Sequence, residues 1–235
     1  MSLESVMQEL AAMGSESTKR IFKNHGAPEP FFGVKVGDMK KIVKRVKKDH
    51  ALSLALFDTG NGDAQYLAGL IADERKITKS DLQHWVEKAS WYMVSEYAVA
   101  WVAAESAFGW ELALEWIESP DEQTASAGWA TLASLVSIKP DAELDLPALS
   151  ALLDRVAHDI HGAQNRVRYN MNGFVIAVGG AVAPLSEQAM KIAQKIGKVS
   201  VDVGGTACKV PFAPEYIGKI VEMGRVGHKR KMARC

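Results

Sequence analysis

Apolar residues recur at helical spacing along almost the whole chain, and this regularity restricts the fold more than any motif does. Met39, Ile42, Val43 and Val46 fall at i, i+3, i+4 and i+7, and Gly37-Asp38 reads as the N-cap of their helix. Leu67, Leu70 and Ile71 mark another helix, opened by Asn61-Gly62-Asp63. Thr78-x-x-Asp81 has the form of a capping box ahead of Leu82, Trp85 and Val86. No stretch sustains a two-residue alternation of β-branched side chains. Val199 to Val203 is the one candidate strand, too short and isolated to build a sheet. The pattern predicts an all-α protein.

The helices come in related pairs. Leu54 to Asp73, Leu112 to Ser134 and Leu152 to Gly179 each read as a short helix, a polar turn and a longer helix. Gly69, Gly128 and Gly173 hold matching places in the longer helix, where a small residue admits a close neighbour. Pairs that cannot bury their own apolar faces must stack, and stacking gives a curved α-solenoid. The spacing places this repeat region at 1–200. Residues 201–235 read as an extension containing Gly and Pro, with a loop, one short helix from Glu215 to Met223, and a mobile basic end.

With 48% hydrophobic residues the chain can bury a substantial core, which excludes compositional disorder. Its apolar runs fall well short of a membrane span. Met1 to Gly14 has amphipathic helix spacing rather than the form of a signal peptide. Cys208 and Cys235 make neither a disulfide framework nor a metal cluster, and the six histidines lack metal-ligand spacing. A cytoplasmic protein without metal or cofactor is expected, and an open solenoid needs no partner subunit, so a monomer is expected too.

The 28 basic and 28 acidic residues cancel, but they are segregated. Seven Lys or Arg and one acid lie between Lys35 and Lys48, whereas Glu96 to Asp159 holds twelve acids and two bases. Such segregation fits one face for an anion; it equally fits helices with ordinary solvated sides. Lys40 and Lys44 with Lys48 form one stripe, Lys41 and Arg45 another, a plausible contact for phosphates. The basic run Lys229, Arg230 and Lys231 reads as a flexible arm that would add electrostatic affinity.

The helix Ser90 to Ala104 is apolar nearly all round and carries one charge, Glu96. Trp91, Ala98 and Trp101 read as core, while Tyr92 sits one turn before Glu96 on its face. A lone carboxylate on an inner helix must be paired, be protonated or line a cavity, so it is a candidate for function or for a structural ion pair. In Gln164 to Phe174, Arg166, Asn170 and Phe174 align at i, i+4 and i+8, and Arg168 and Asn172 form a second stripe. These residue types suit phosphate contacts and base stacking, and also the polar end of a core helix.

Several segments, taken in order, resemble the bacterial DNA alkylation repair family, the HEAT-like repeat alkylpurine DNA glycosylases. They are His25-Gly26, Gly33-Val34, Asp38-Met39-Lys40-Lys41, Leu56-Phe57-Asp58, Ser90-Trp91-Tyr92 through Glu96, Asn172-Gly173-Phe174, and Asp202 to Lys219 with the basic ending. The resemblance implies a HEAT-like solenoid whose basic concave face holds duplex DNA. It also implies hydrolysis of the N-glycosidic bond of cationic alkylpurines, with a carboxylate stabilising positive charge on the sugar. By this likeness the family's catalytic acid falls on Glu96, its two tryptophans on Tyr92 and Phe174, and its arginine near Ala127. Three functions therefore stand at the sequence level: a glycosylase using Glu96, a non-catalytic binder of damaged or branched DNA, and a protein-interaction solenoid.

Overall fold

The computed structural model describes residues 1–234; Cys235, the second cysteine, lies outside them. The described residues contain helices and turns and no strand, so Val199 to Val203 is loop. Helices α1 (Leu3–Met13), α2 (Glu16–Asn24) and α3 (Val36–Val46) begin the chain. The repeated pairs follow as α4 (His50–Asp58) with α5 (Gly62–Ile71), α6 (Lys79–Lys88) with a π-helical segment Val94–Val99 running into α7 (Ala100–Glu105), α8 (Gly109–Trp116) with α9 (Glu122–Ile138), and α10 (Leu146–Asp159) with α11 (Asn165–Ala181). Helices α12 (Ser186–Ile196) and α13 (Ala213–Glu222) complete the fold. No single helix among the described residues is long and apolar enough to cross a membrane.

The second helix of each pair lies inside. α5 packs on the π-helical segment, that segment and α7 pack on α9, α9 packs on α11, and α11 packs on α13. This is the HEAT-like stacking that the sequence predicts. Close approach is decided by small residues: a Cβ on Gly69 would sit 2.6 Å from the Cβ of Ala98, and one on Gly128 would sit 2.8 Å from Ile117. Gly173 corrects the expectation, because nothing lies within 4 Å of its would-be Cβ. On α11 the contact falls instead at Gly179, against the side chain of Ile217 in α13.

Glutamines at the starts of the inner helices tie neighbouring units together. Gln65 Nε2 donates to Lys88 O (2.9 Å), Gln123 Nε2 to Ala89 O (2.6 Å) and Gln164 Nε2 to Pro120 O (3.1 Å). Each satisfies a carbonyl left free where the chain leaves an outer helix. Thr78 and Asp81 form the expected reciprocal capping box, and Asn61 caps α5. The start of α3 differs from expectation: it begins at Val36 with Lys35 as an N-cap that makes no side-chain bond, and Asp38 sits within the first turn. There its charge favours the positive end of the helix dipole.

The C-terminal run does not extend freely into solvent but lies against the helices. After α13 the chain crosses the C-terminal ends of the inner helices in turn. Gly227 N donates to Gly180 O on α11 (2.9 Å), and Arg230 N to Ser137 O on α9 (2.8 Å). Lys229 Nζ donates to Val136 O (2.8 Å) and pairs with Asp141 (2.8 Å). Arg234 is buried between Glu105 (2.6 Å) and Glu74 (2.6 Å) and donates to Ala72 O at the end of α5 (2.7 Å). Basic residues here meet what helix C-termini offer, namely unpaired carbonyls and partial negative charge. The run is a strap, and its basic character serves the fold first.

Candidate functional site

The opposite ends of the inner helices gather the residues singled out around Glu96. The π-helical segment presents Glu96 toward the first turn of α11, where Arg166 grips it with two bonds: Nε to Oε1 at 2.9 Å, and Nη2 to Oε2. The guanidinium lies between two aromatic rings, 4.2 Å from the centroid of Tyr92 and 4.4 Å from that of Tyr169. Cation–π attraction and the bidentate pair therefore fix the same side chain. The Arg166 backbone N–H donates to Glu122 Oε1 (2.6 Å), and Asn170 Nδ2 donates to Arg166 O (3.1 Å). Tyr92 Oη lies 3.0 Å from His25 Nδ1, which ties α2 to the cluster.

Burial governs the electrostatics. The Glu96 side chain is 2% exposed and that of Arg166 18%. Burial pushes the Glu96 carboxyl above its ordinary range, against the pull of Arg166 and Asn170. It also opposes charge on Arg166, but the Glu96 carboxylate outweighs it and holds the guanidinium above its usual value. Burial raises the phenols of Tyr92, Tyr97 and Tyr169, so all three stay neutral at physiological pH.

A pocket of about 340 Å³ opens over these rings, walled by His25, Tyr92, Tyr97 and Tyr169 and covered by the loop that carries Asp202 and Cys208. Asn165 holds that loop by reciprocal bonds to Asp202, donating Nδ2 to its carbonyl (2.8 Å) and accepting its N–H (2.7 Å). Beyond Glu96 a groove of about 520 Å³ runs between α9, α11 and α13, with Asn170 in its wall and Arg225, His228 and Arg230 along its margin.

The sequence candidates are thus partly brought together. Tyr92, Glu96, Arg166 and Asn170 form one cluster. Phe174 does not join it. Its ring is fully buried, 5.3 Å from Trp129, and packs in the core. Each i+4 step advances about 40° around a helix, so by i+8 a side chain has turned about 80° from Arg166. Arg168 is half-buried and its Nε has no hydrogen-bond partner among the described residues. Asn172 is buried and anchors the extension, donating Nδ2 to Pro211 O (2.9 Å).

On α3, Lys41 pairs with Asp38 (3.3 Å) and Arg45 with Glu9. Lys40 and Lys44 are exposed with no acidic partner among the described residues. Lys229 is engaged in the strap, whereas Arg230 and Lys231 are exposed on it. Sequence reading missed Tyr169, Tyr97 and Asp202. Tyr169 had a signal, since it lies three residues after Arg166 on the same face. Asp202 had none, because its partner Asn165 is 37 residues away.

The stacked helical pairs define a HEAT-like repeat protein. More narrowly, the chain belongs to the DNA alkylation repair enzyme family, which it matches over residues 6–201. Uncharacterized proteins of Listeria monocytogenes and Listeria innocua are each 36% identical to it over 217 residues, covering 90% of this chain and 93% of theirs. A solved structure aligns over 100% of both chains with a TM-score of 0.91 and 40% identity. It is described as representing a new family of proteins related to the HEAT-like repeat DNA glycosylases with affinity for branched DNA structures.

Proposed function

We propose that this chain binds branched DNA and does not excise alkylated purines. One observation carries the second half: both oxygens of Glu96 are held by Arg166 in a buried pair. A carboxylate that stabilises an oxocarbenium-like sugar must aim uncompensated charge at the place where positive charge develops. Here that charge is already neutralised, and turning it toward a substrate would leave Arg166 buried without its partner. The burial of Phe174 removes a second element of the glycosylase reading. The affinity of the similar solved protein for branched DNA, at 40% identity over the whole chain, supports the first half. Exposed Arg225 and Arg230 beside the groove offer contacts to phosphates.

The test has two parts. Affinity for a four-way junction and for a linear duplex is measured over a salt series, and release of methylpurines from alkylated duplex is measured for wild type and Glu96→Gln. Salt-dependent binding that favours the junction is expected, with no base release by either protein. Release by wild type that Glu96→Gln lacks would restore the glycosylase function.

A further inference from the structure

We propose that the tyrosine-walled pocket beside Arg166 takes one unpaired nucleobase at the branch point of a DNA junction. The inference rests on the DNA-binding function proposed above. The pocket, of about 340 Å³, has the size of a small-molecule site. Its rings come from three places in the chain: His25 after α2, Tyr92 and Tyr97 before and within the π-helical segment, and Tyr169 on α11. The three tyrosines are half-buried, so each still meets solvent.

The backbone departs from regularity to build this wall. In an α-helix a step of five residues turns a side chain about 140° away. Tyr92 and Tyr97 are five residues apart, yet both line the pocket, because the wider π-helical turn lies between them. Such turns are rare and gather at functional sites. The facing loop is equally fixed. Asn165 holds Asp202 by two bonds, and Gly204 lies so close to α2 that a Cβ on it would sit 2.8 Å from Asn24 O. The loop is thus held to both α11 and α2, and the pocket is preformed.

The chemistry of the walls selects the occupant. Arg166 is the one Lys or Arg in them, and Glu96 already neutralises it. Asp202 adds a negative charge, so a phosphate finds no free cation beside it. A cation entering would stand beside the Arg166 guanidinium. Burial keeps the phenols neutral. The guanidinium takes one face of Tyr92 and one of Tyr169, and a flat, uncharged ligand extends that stack. Polar groups remain for its edge. The hydroxyls of Tyr97 and Tyr169 bond to no described residue, and Asp202 Oδ1 takes the Gly204 N–H (2.8 Å), which leaves Oδ2. In DNA the flat, uncharged group with hydrogen-bonding edges is the base. Within a duplex every base is paired and stacked, whereas one freed at a branch enters without the cost of unpairing. Tyr97 also stands in the wall of the groove, so the base site adjoins the margin where Arg225 and Arg230 offer phosphate contacts.

The experiment uses a three-way junction with one unpaired adenine at its branch point, and the same junction with an abasic residue there. Fluorescence anisotropy gives both Kd values for wild type, Tyr169→Leu and Tyr169→Phe, and thermal melts verify folding. Wild type is expected to prefer the junction with the base by about tenfold, the size of one base–aromatic stack. Tyr169→Leu, which keeps apolar bulk, should bring the ratio near one, and Tyr169→Phe should keep most of it. The ratio cancels any loss that a loosened cluster inflicts on both DNAs alike. Iodouracil at the unpaired position, irradiated on the wild-type complex, should crosslink to His25, Tyr92, Tyr97 or Tyr169, as read by mass spectrometry. A single stack holds free adenosine more weakly than about 1 mM, so adenosine at about that concentration should leave the junction bound.

A wild-type ratio of one, a ratio that Tyr169→Leu leaves unchanged, or a crosslink outside the pocket overturns the proposal. Salt-dependent junction binding in the same titrations would leave the DNA-binding function standing. Displacement by adenosine also overturns it, because the pocket would then serve a free nucleoside. Wild type that binds neither junction removes the DNA-binding function and this proposal together.

Discussion

Arg166→Met tests the electrostatic account of the central ion pair most directly. Methionine keeps an apolar stem between the rings of Tyr92 and Tyr169 but removes the charge that compensates Glu96. With its side chain 2% exposed, Glu96 then has little water to replace the guanidinium. A buried lone carboxyl stays protonated well above its ordinary range, whereas in the unfolded chain it ionises freely. Removing one partner of a buried ion pair in this way is expected to cost about 3–5 kcal/mol at pH 7.

The sign follows from linkage. A carboxyl raised on folding leaves stability intact below its unfolded pKa and removes it as pH rises toward the folded one. The electrostatic loss should therefore shrink to a few tenths of a kcal/mol at pH ~4. A pH-independent loss of about 1–2 kcal/mol remains from the two cation–π contacts. Urea unfolding at pH 4, 5.5 and 7 measures these differences, and the double variant with Glu96→Gln should lose the pH dependence. A loss of the same size at every pH, or one below about 1 kcal/mol at pH 7, would refute the claim that Glu96 is a buried charge compensated chiefly by Arg166.

Two further perturbations probe the frame around this pair. Gly69→Val places methyl groups where a Cβ alone already sits 2.6 Å from Ala98; it should force α5 off the π-helical segment and cost about 1–3 kcal/mol or more, read by chemical denaturation. Wild-type stability in that variant would mean that the helices separate without cost. Arg234→Met leaves Glu74 and Glu105 without their shared partner and should destabilise by about 3–5 kcal/mol. Hydrogen exchange should then rise in residues 225–234 first. Burial pushes the Glu74 carboxyl up, but Lys48 and Arg234 hold it below its ordinary value, so this stabilisation is present at neutral pH and lost as acid protonates it. A variant as stable as wild type at pH 7, with an unchanged exchange pattern, would show that the strap is not anchored at Arg234.

Local physics made the helices readable. Apolar spacing, the Thr78–Asp81 capping box and the Asn61 cap act within a few residues, so they stand in the sequence as they stand in the fold. The repeat was legible for the same reason: each unit has the same need to bury one face. Glu96 announced itself as the one charge on an otherwise apolar helix, and Tyr92 shared its face. Its partner was a different matter. Arg166 lies 70 residues away, and nothing along the chain sets it rather than Arg168 against Glu96; the turn of α11 does so and leaves Arg168 without a bond at Nε. Helical phase likewise sent Phe174 into the core.

The basic tail shows the limit most clearly. Read alone, a run of Lys and Arg is a solvated arm, because nothing nearby in sequence neutralises it. Its partners are helix ends and acids far upstream, from Gly180 back to Ala72, assembled only when four inner helices stack with their C-termini along one edge. The sequence determined which segments are helical and which faces they bury, since those depend on neighbours along the chain. Tertiary structure alone decided which charges are spent inside the molecule and which remain free for a ligand, because charge pairing depends on distance in space.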